Sequence, residues 1–301
     1  MSPAPRSGLV VGSHGRHLVV RTPDGTRVRC HVRGKRSEAV VGDRVQWAPA
    51  GDEGVIERIE PRRNLLYRQD EWRSKSFAAN LDAVLLLLAV EPVFSDRLLG
   101  RALVAAAHAG IPAWVALNKV DLPGTDAARA RLAPHAAMGT ELVELSLRRD
   151  PQAAVATLAP RLRGRTTLVL GPSGSGKSTL INLVVPGAGA QVGEISRALA
   201  SGRHTTTTTT WYALGDAPDA GAIIDSPGFQ QFGLAQVEPQ QLAALMPDLA
   251  PHLGGCRFHN CTHRHEPGCA LRATAERGEI DPARWRLYAE LHDDLNAPPR
   301  Y

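Results

Sequence analysis

The stretch "TTLVLGPSGSGKSTLINLVV", Thr166 to Val185, decides how this chain is read. It opens on β-branched and apolar residues that suit a buried strand and closes on a run that suits a helix. Between them "GPSGSGKST" (Gly171 to Thr179) fits G-x-x-x-x-G-K-[ST]. A glycine-rich turn between strand and helix aims successive backbone N–H groups at one point, and the helix N-terminus adds its positive end. That is a cradle for phosphate. Gly171, Pro172, Ser173, Gly174, Ser175, Gly176 and Thr179 form it; Lys177 is expected to reach the β and γ phosphates, and Ser178 to ligate Mg²⁺.

Upstream, from Leu81, strands alternate with helices. "DAVLLLLAV" reads as a strand buried on both faces, and "SDRLLGRALVAAAHAG" as a helix capped at Ser95 or Asp96 and stopped at Gly110. "PAWVAL" and "ELVEL" read as strands, with helices near Ala127 to Ala137 and Pro151 to Leu162. Such alternation implies a parallel sheet with helices on both faces, and these sheets bind ligands at the carboxyl ends of their strands.

One of those ends carries "NKVD", Asn118 to Asp121. A carboxylate at Asp121 can accept from the ring N–H and the exocyclic amine of guanine, a pair adenine lacks; a site left with unmet polar groups rejects the wrong base. Asn118 would tie neighbouring loops together, the stem of Lys119 would cover the base, Val120 completes the turn, and Ser146, just past a later strand, offers a further base-side contact. Downstream, "IIDSPG" ends a strand in D-x-x-G, where Asp225 would help hold magnesium and the Gly228 amide would sense the γ-phosphate. The order is unusual: the base-reading loop precedes the phosphate loop. Joining the old termini of a parallel sheet and cutting it elsewhere leaves such a site intact.

Charge is uneven. Met1 to Lys75 holds 15 Lys+Arg against 9 Asp+Glu, and the remainder 20 against 21. The basic end points to a polyanionic partner such as RNA. Its short alternating runs, "HLVVR", "RVRCHVR", "DRVQWAP" and "GVIERIE", suit a small antiparallel barrel or sandwich, and with the excess of Arg an OB-type barrel that binds RNA is expected. Pro61 to Asn80 reads as an irregular linker. No run approaches the ~20 apolar residues of a membrane helix. "MSPAPRSG" lacks the apolar core of a signal peptide, so a cytoplasmic location without membrane partners is expected.

Near the C-terminus "CRFHNCTHRHEPGC" supplies Cys256, Cys261, His263 and Cys269. Three thiolates and an imidazole make a closed, structural zinc site, with His259 and His265 as competing ligands on spacing. The helical tail "PARWRLYAELHDDL" is expected against it, and Arg257, Arg264 and Arg272 around it. The fourth cysteine, Cys30, reads as a small buried hydrophobe.

Together "VGDRVQW", "GVIERIEPRRNLLYR", "AANLDAVLLLLAV", "NKVDL", "GPSGSGKSTLIN", "GRHTTTT", "DSPGFQQFGL" and the cysteine cluster resemble the circularly permuted GTPases of bacteria that depend on the small ribosomal subunit. The resemblance spans nearly the whole chain. It implies a multidomain fold: an N-terminal OB-type β-barrel (1–65), a central circularly permuted α/β P-loop GTPase (66–236) and a C-terminal zinc-binding, mainly helical domain (237–301). It further implies GTP hydrolysis to GDP and phosphate with Mg²⁺, one structural Zn²⁺, and the 30S subunit and its rRNA as partners late in subunit maturation; the protein is expected to act as a monomer.

"SGRHTTTTTTW" resembles the family's first switch, where Thr206, or Thr205 beside it, completes the metal shell. Phe229 stands where many GTPases carry a water-positioning Gln, so the resemblance gives that part to His204, beside Lys177 and Thr206 in catalysis, with slow intrinsic turnover. Rival readings are a nucleotide-regulated RNA-binding protein without significant turnover, a nucleotide-independent RNA module with a decayed site, and an ATP-using kinase or transport ATPase. Intact Lys177, Ser178, Asp225 and Asp121 oppose the decayed site, and Asp121 separates GTP from ATP.

Overall fold

The computed structural model describes residues 4–14, 17–33, 38–69, 74–189, 209–217, 219–226 and 234–296. Five short strands come first: β1 (Arg6–His14), β2 (His17–Arg21), β3 (Arg27–Val32), β4 (Arg44–Ala50) and β5 (Glu53–Ile59). They pair in the order β1-β2-β3-β5-β4, and β4 returns to β1, closing a barrel in which only β3 and β5 run parallel. Inward alternation puts Val10, Leu18, Val20, Cys30, Val45, Trp47 and Ile56 in one core. Cys30 is buried there as expected.

Pro61 to Asn80 is not an irregular linker. Strands β6 (Leu65–Gln69) and β7 (Ser74–Ala79) form an antiparallel hairpin of their own. Ahead of it, Arg62 clamps the fully buried Asp43 of the barrel with bonds of 2.7 and 2.8 Å, while Asn64 and Leu81 exchange side-chain and backbone bonds of 2.8 Å. Dense charge hid the alternation, because this two-stranded ribbon has no continuous apolar face to advertise.

The central sheet follows: β8 (Ala83–Ala89), β9 (Ala113–Asn118), β10 (Leu142–Leu145), β11 (Thr166–Leu170), β12 (Thr209–Ala213) and β13 (Ala222–Asp225). Its order is β10-β9-β8-β11-β13-β12, parallel except for the antiparallel β12. Every residue of β8 is buried, and its period of two shares them between the faces. Val84, Leu86 and Leu88 meet helices α1 (Asp96–His108) and α2 (Thr125–Ala137); Ala83, Leu85 and Leu87 meet α3 (Pro151–Leu162) and α4 (Lys177–Val184). The Ser95 hydroxyl caps α1 by accepting from Leu98 N.

The sheet does not stop at β12. Thr210 pairs with Asp225 of β13 on one side and with Gly12 of β1 on the other, so barrel and central sheet are hydrogen-bonded into eleven continuous strands. The Arg21 guanidinium lies 4.8 Å over the Trp211 ring at this junction.

Beyond 234 come three single-turn 3₁₀ segments and helices α5 (Ala270–Glu276) and α6 (Pro282–Asn296). They share the α1–α2 core: Leu271, Leu287, Tyr288 and Leu291 pack there. Helix α6 crosses α1 at Gly100, where a Cβ would come within 2.6 Å of Leu287 Cδ2, and Asp294 binds both Arg97 and Arg101. No helix is long and apolar enough to cross a membrane among the described residues.

Candidate nucleotide site and metal centre

Strands β8, β9, β11 and β13 bring their carboxyl ends to one edge of the sheet. Gly171 leaves β11 so close to β8 that a Cβ would lie 2.1 Å from the Leu87 carbonyl oxygen. Gly176, the residue before α4, has φ +109°, and a Cβ on it would strike Asn118 Nδ2 at 2.4 Å. Glycine at both places is what lets the turn close with its amides facing inward.

Lys177 folds over this turn and donates to the carbonyls of Gly171 (2.6 Å) and Pro172 (3.1 Å). Asp225, at the end of β13, is its electrostatic partner. Burial lowers the Lys177 pKa, with Asp225 opposing, and burial raises that of Asp225, with Lys177 opposing. Burial thus disfavours the charged form of each, and only their mutual attraction opposes it. Ser178 is the second residue of α4, after Lys177. Ser175 is fully buried, with a hydroxyl that has no protein partner; Ser173 is exposed, while Ser178 and Thr179 are half-buried.

The base-reading loop is fastened to this turn by one side chain. Asn118, 3% exposed, donates from Nδ2 to Ser175 O (2.8 Å) and accepts at Oδ1 from Leu147 N (3.1 Å). Lys119, at φ +62°, donates to the Glu91 carbonyl (2.5 Å), and Val120 N donates to Leu145 O (3.3 Å). Ser146 Oγ donates to Asp121 Oδ1 at 2.8 Å, leaving the exposed carboxylate oriented with acceptor capacity to spare. Of the residues expected at the site, Asn118, Lys119, Val120, Asp121, Ser146, the 171–179 turn and Asp225 thus assemble along one edge. Leu147, whose amide Asn118 holds, was missed; a backbone contact leaves no mark in residue types. His204, Thr205, Thr206, Gly228 and Phe229 lie outside the described residues.

In the C-terminal unit the ligating atoms of Cys256, Cys261, His263 and Cys269 lie within 4.8 Å of one another. Cys256 Sγ is 3.9 Å from Cys269 Sγ and 3.5 Å from His263 Nδ1, which is 3.3 Å from Cys269 Sγ. Ligands at ordinary zinc distances stand roughly 3.4–3.8 Å apart at tetrahedral angles, so the donor set fits that ion. Burial lowers the His263 pKa and keeps the imidazole in the neutral form a metal requires. His259 and His265, open as alternatives on spacing, are exposed and outside the cluster.

Glu266 organises the intervening turn, accepting from Thr262 N (2.7 Å), Thr262 Oγ1 (2.6 Å) and the amides of Arg264 and His265 (3.1 Å each). The tail packs on it as expected: Tyr288 Oη donates to Thr262 O at 2.8 Å. Sequence reasoning did not single out Glu266 or Tyr288. Arg264 is paired with Asp293 and Arg272 with Glu276.

The profile of the RsgA GTPase family matches residues 59–235, more than half of the chain. The chain belongs to the RsgA GTPase family. It is 55% identical to the small ribosomal subunit biogenesis GTPase RsgA of Variovorax paradoxus, over 96% of this chain and 92% of that one. With the protein of the same name from Bordetella pertussis it shares 51% identity over 100% of both. Its fold superposes on YjeQ from Thermotoga maritima with a TM-score of 0.73, at 27% identity and covering 98% and 99% of the two chains. It superposes on YloQ, a circularly permuted GTPase, with a TM-score of 0.69, at 24% identity over 99% and 97%, a likeness of fold alone. This RsgA-family chain is accordingly a GTP-hydrolysing enzyme of circularly permuted fold, with a Cys₃His cluster that could hold zinc.

Proposed function

We propose that this GTPase binds the maturing 30S ribosomal subunit through its rRNA, as a cytoplasmic monomer, and times its own release by hydrolysing GTP. The observation that carries the nucleotide assignment is Asn118, which from the base-reading loop bonds the phosphate turn at Ser175 and the loop after β10 at Leu147. Around that joint Asp121 would accept from guanine, with Ser146 holding it in place; Lys119 and Val120 would flank the base. The 171–179 amides and Lys177 would hold the β and γ phosphates. Mg²⁺, held by Ser178 and Asp225 with Thr206 from the switch, would neutralise charge developing on the phosphates. His204 would orient the attacking water, and the Gly228 amide would sense the γ-phosphate.

The basic barrel and the zinc module would grip RNA, in the division 1–65, 66–236 and 237–301. The zinc, in the Cys₃His set, would be structural, since no ligand position is left for water. The acceptor capacity that Asp121 keeps beside its bond from Ser146 supports guanine over adenine, and thus a GTPase over an ATP-driven enzyme.

The test is phosphate release from GTP and from ATP, each with and without purified small subunits. The expected result is slow GTP hydrolysis that rises sharply with subunits, with ATP inert. GTP turnover indifferent to subunits would remove the ribosomal role. Asp121→Asn should weaken GTP binding while leaving ATP binding as it was, and unchanged GTP affinity would sink the guanine assignment.

A further inference from the structure

The C-terminal unit leaves one aromatic ring uncovered. Phe258 is 41% exposed; with Val93 it makes up the exposed large hydrophobics among the described residues. It stands on the short turn between the ligand cysteines Cys256 and Cys261, where Arg257, Phe258, His259 and Asn260 are all exposed and none is acidic. The turn is held from below. Arg257 N donates to Gly268 O at 3.0 Å, and Cys261 N to Phe258 O at 3.3 Å. Gly268, at φ +71°, lets the two segments approach: a Cβ there would be 3.1 Å from Arg257 Cβ. A phenylalanine ring that leaves 41% of its surface to solvent on a braced turn is open to a further apolar contact.

The arginines of this unit divide in the same direction. Arg264, Arg272, Arg277 and Arg284 are each paired to a carboxylate: Asp293, Glu276, Glu279 and Asp248. Arg257 and Arg286 have no such pairing among the described residues, and of these two it is Arg257 whose guanidinium lies 5.5 Å over the Phe258 ring. A cation free of carboxylates against a partly exposed ring is a combination that receives an unpaired nucleobase: the base stacks on the ring, and the guanidinium shifts to base edge or phosphate. Duplex RNA keeps its base faces stacked and cannot use it.

We infer that the 256–261 turn is a stacking platform for one unpaired base of single-stranded RNA, with Phe258 the platform and Arg257 its cationic edge. This rests on the reading of the protein as RNA-binding and adds which surface, which residues and which state of RNA. Zinc ligation at both ends of the turn would fix the ring in advance, so little ordering would be lost on binding.

The experiment uses the full-length, zinc-loaded protein and a short single-stranded RNA rich in uridine and carrying thiouridine, photocrosslinked and mapped to peptides, with affinity measured in parallel. A crosslink is expected within 257–263 with the single strand and absent there with the duplex of the same sequence. Phe258→Ala should weaken single-strand binding about 5- to 150-fold, Phe258→Leu nearly as much despite its apolar bulk, while Phe258→Trp retains it. Zinc content, equal in all variants, separates lost stacking from lost fold. Should Phe258→Ala lose zinc, Phe258→Leu and Arg257→Gln decide in its place. Crosslinks confined to the barrel, or alanine affinity equal to the wild type, would overturn the platform and leave the RNA-binding reading standing. No binding to RNA of either kind would overturn both.

Discussion

Replacing Asn118 by alanine removes a side chain that joins the two halves of the candidate nucleotide site. Its Nδ2 donates to Ser175 O at 2.8 Å, its Oδ1 accepts from Leu147 N at 3.1 Å, and the residue is 3% exposed. Alanine leaves a buried carbonyl and a buried amide unpaired, and each such group costs about 1–3 kcal/mol. Partial relaxation puts the total near 3 kcal/mol, which for a chain of this size lowers the melting temperature by roughly 5 °C. Affinity should fall as well, because the phosphate turn and the base-reading loop would no longer be set at a fixed separation before the ligand arrives. A loss of about ten-fold or more in guanine-nucleotide affinity is expected, well beyond what the lost packing alone would bring. The assay is binding of a fluorescent GDP analogue, with thermal melting of the free protein alongside. Asn118→Asp keeps the acceptor for Leu147 but sets a carboxylate against the Ser175 carbonyl, and it should do no better than alanine. Affinity within two-fold of the wild type and an unshifted melt would refute the idea that Asn118 is the joint.

Gly171→Ala should abolish nucleotide binding, since its methyl would stand 2.1 Å from the Leu87 carbonyl oxygen and the turn could close only by moving β8 or β11; wild-type GTP affinity would count against the turn as drawn. Chelation, or Cys261→Ser, should release zinc and loosen 234–296 while the central sheet keeps its structure, to be read by hydrogen exchange across the two regions; protection unchanged near Tyr288 would show that the metal is not structural. Burial lowers the His135 pKa to about 4, with Arg284 adding to the effect. The folded state therefore holds it neutral, and its contribution is complete above the unfolded value and lost as pH falls from about 6.5 toward 4. The difference amounts to about 3 kcal/mol, and His135→Gln should flatten that part of the acid limb of the urea midpoint; an identical slope in the variant would contradict the assignment. Arg21→Ala removes the guanidinium over Trp211 at the barrel–sheet junction and should cost about 0.5–1 kcal/mol, visible as a small loss of thermal stability with GTP affinity kept.

Much of the site is legible in residue order because each of its parts is local. A phosphate turn needs glycines at fixed spacing between strand and helix, and guanine needs a carboxylate just past a neighbouring strand. Gly171 to Thr179 and Asn118 to Asp121 declare both without reference to anything distant. The strands from Ala83 to Leu170 are equally plain, since a strand buried on both faces must be continuously apolar, as "AVLLLLA" is. The hairpin of β6 and β7 was lost in Pro61 to Asn80, because charge dominates there and a two-stranded ribbon buries too little to pattern its sequence. His263 stood level with His259 and His265 on spacing, and it was the fold that turned its Nδ1 toward the sulfurs.

Sequence alone therefore determined a small β domain, the parallel sheet, the permuted order of the nucleotide loops and the chemistry of the metal ligands, all properties of short segments whose periodicity or spacing is self-contained. Closure of the barrel through β1 and β4 came from the fold. Tertiary structure decided what covers what. It set α6 across α1 at Gly100, made Asn118 the bridge between two loops, and ran β12 into β1 so that Thr210 is bonded to the barrel and to the strand of Asp225 together. A pattern of side chains states that a face will be buried or a backbone edge paired, but any element of matching shape satisfies it, and only the packing of the whole chain selects the partner.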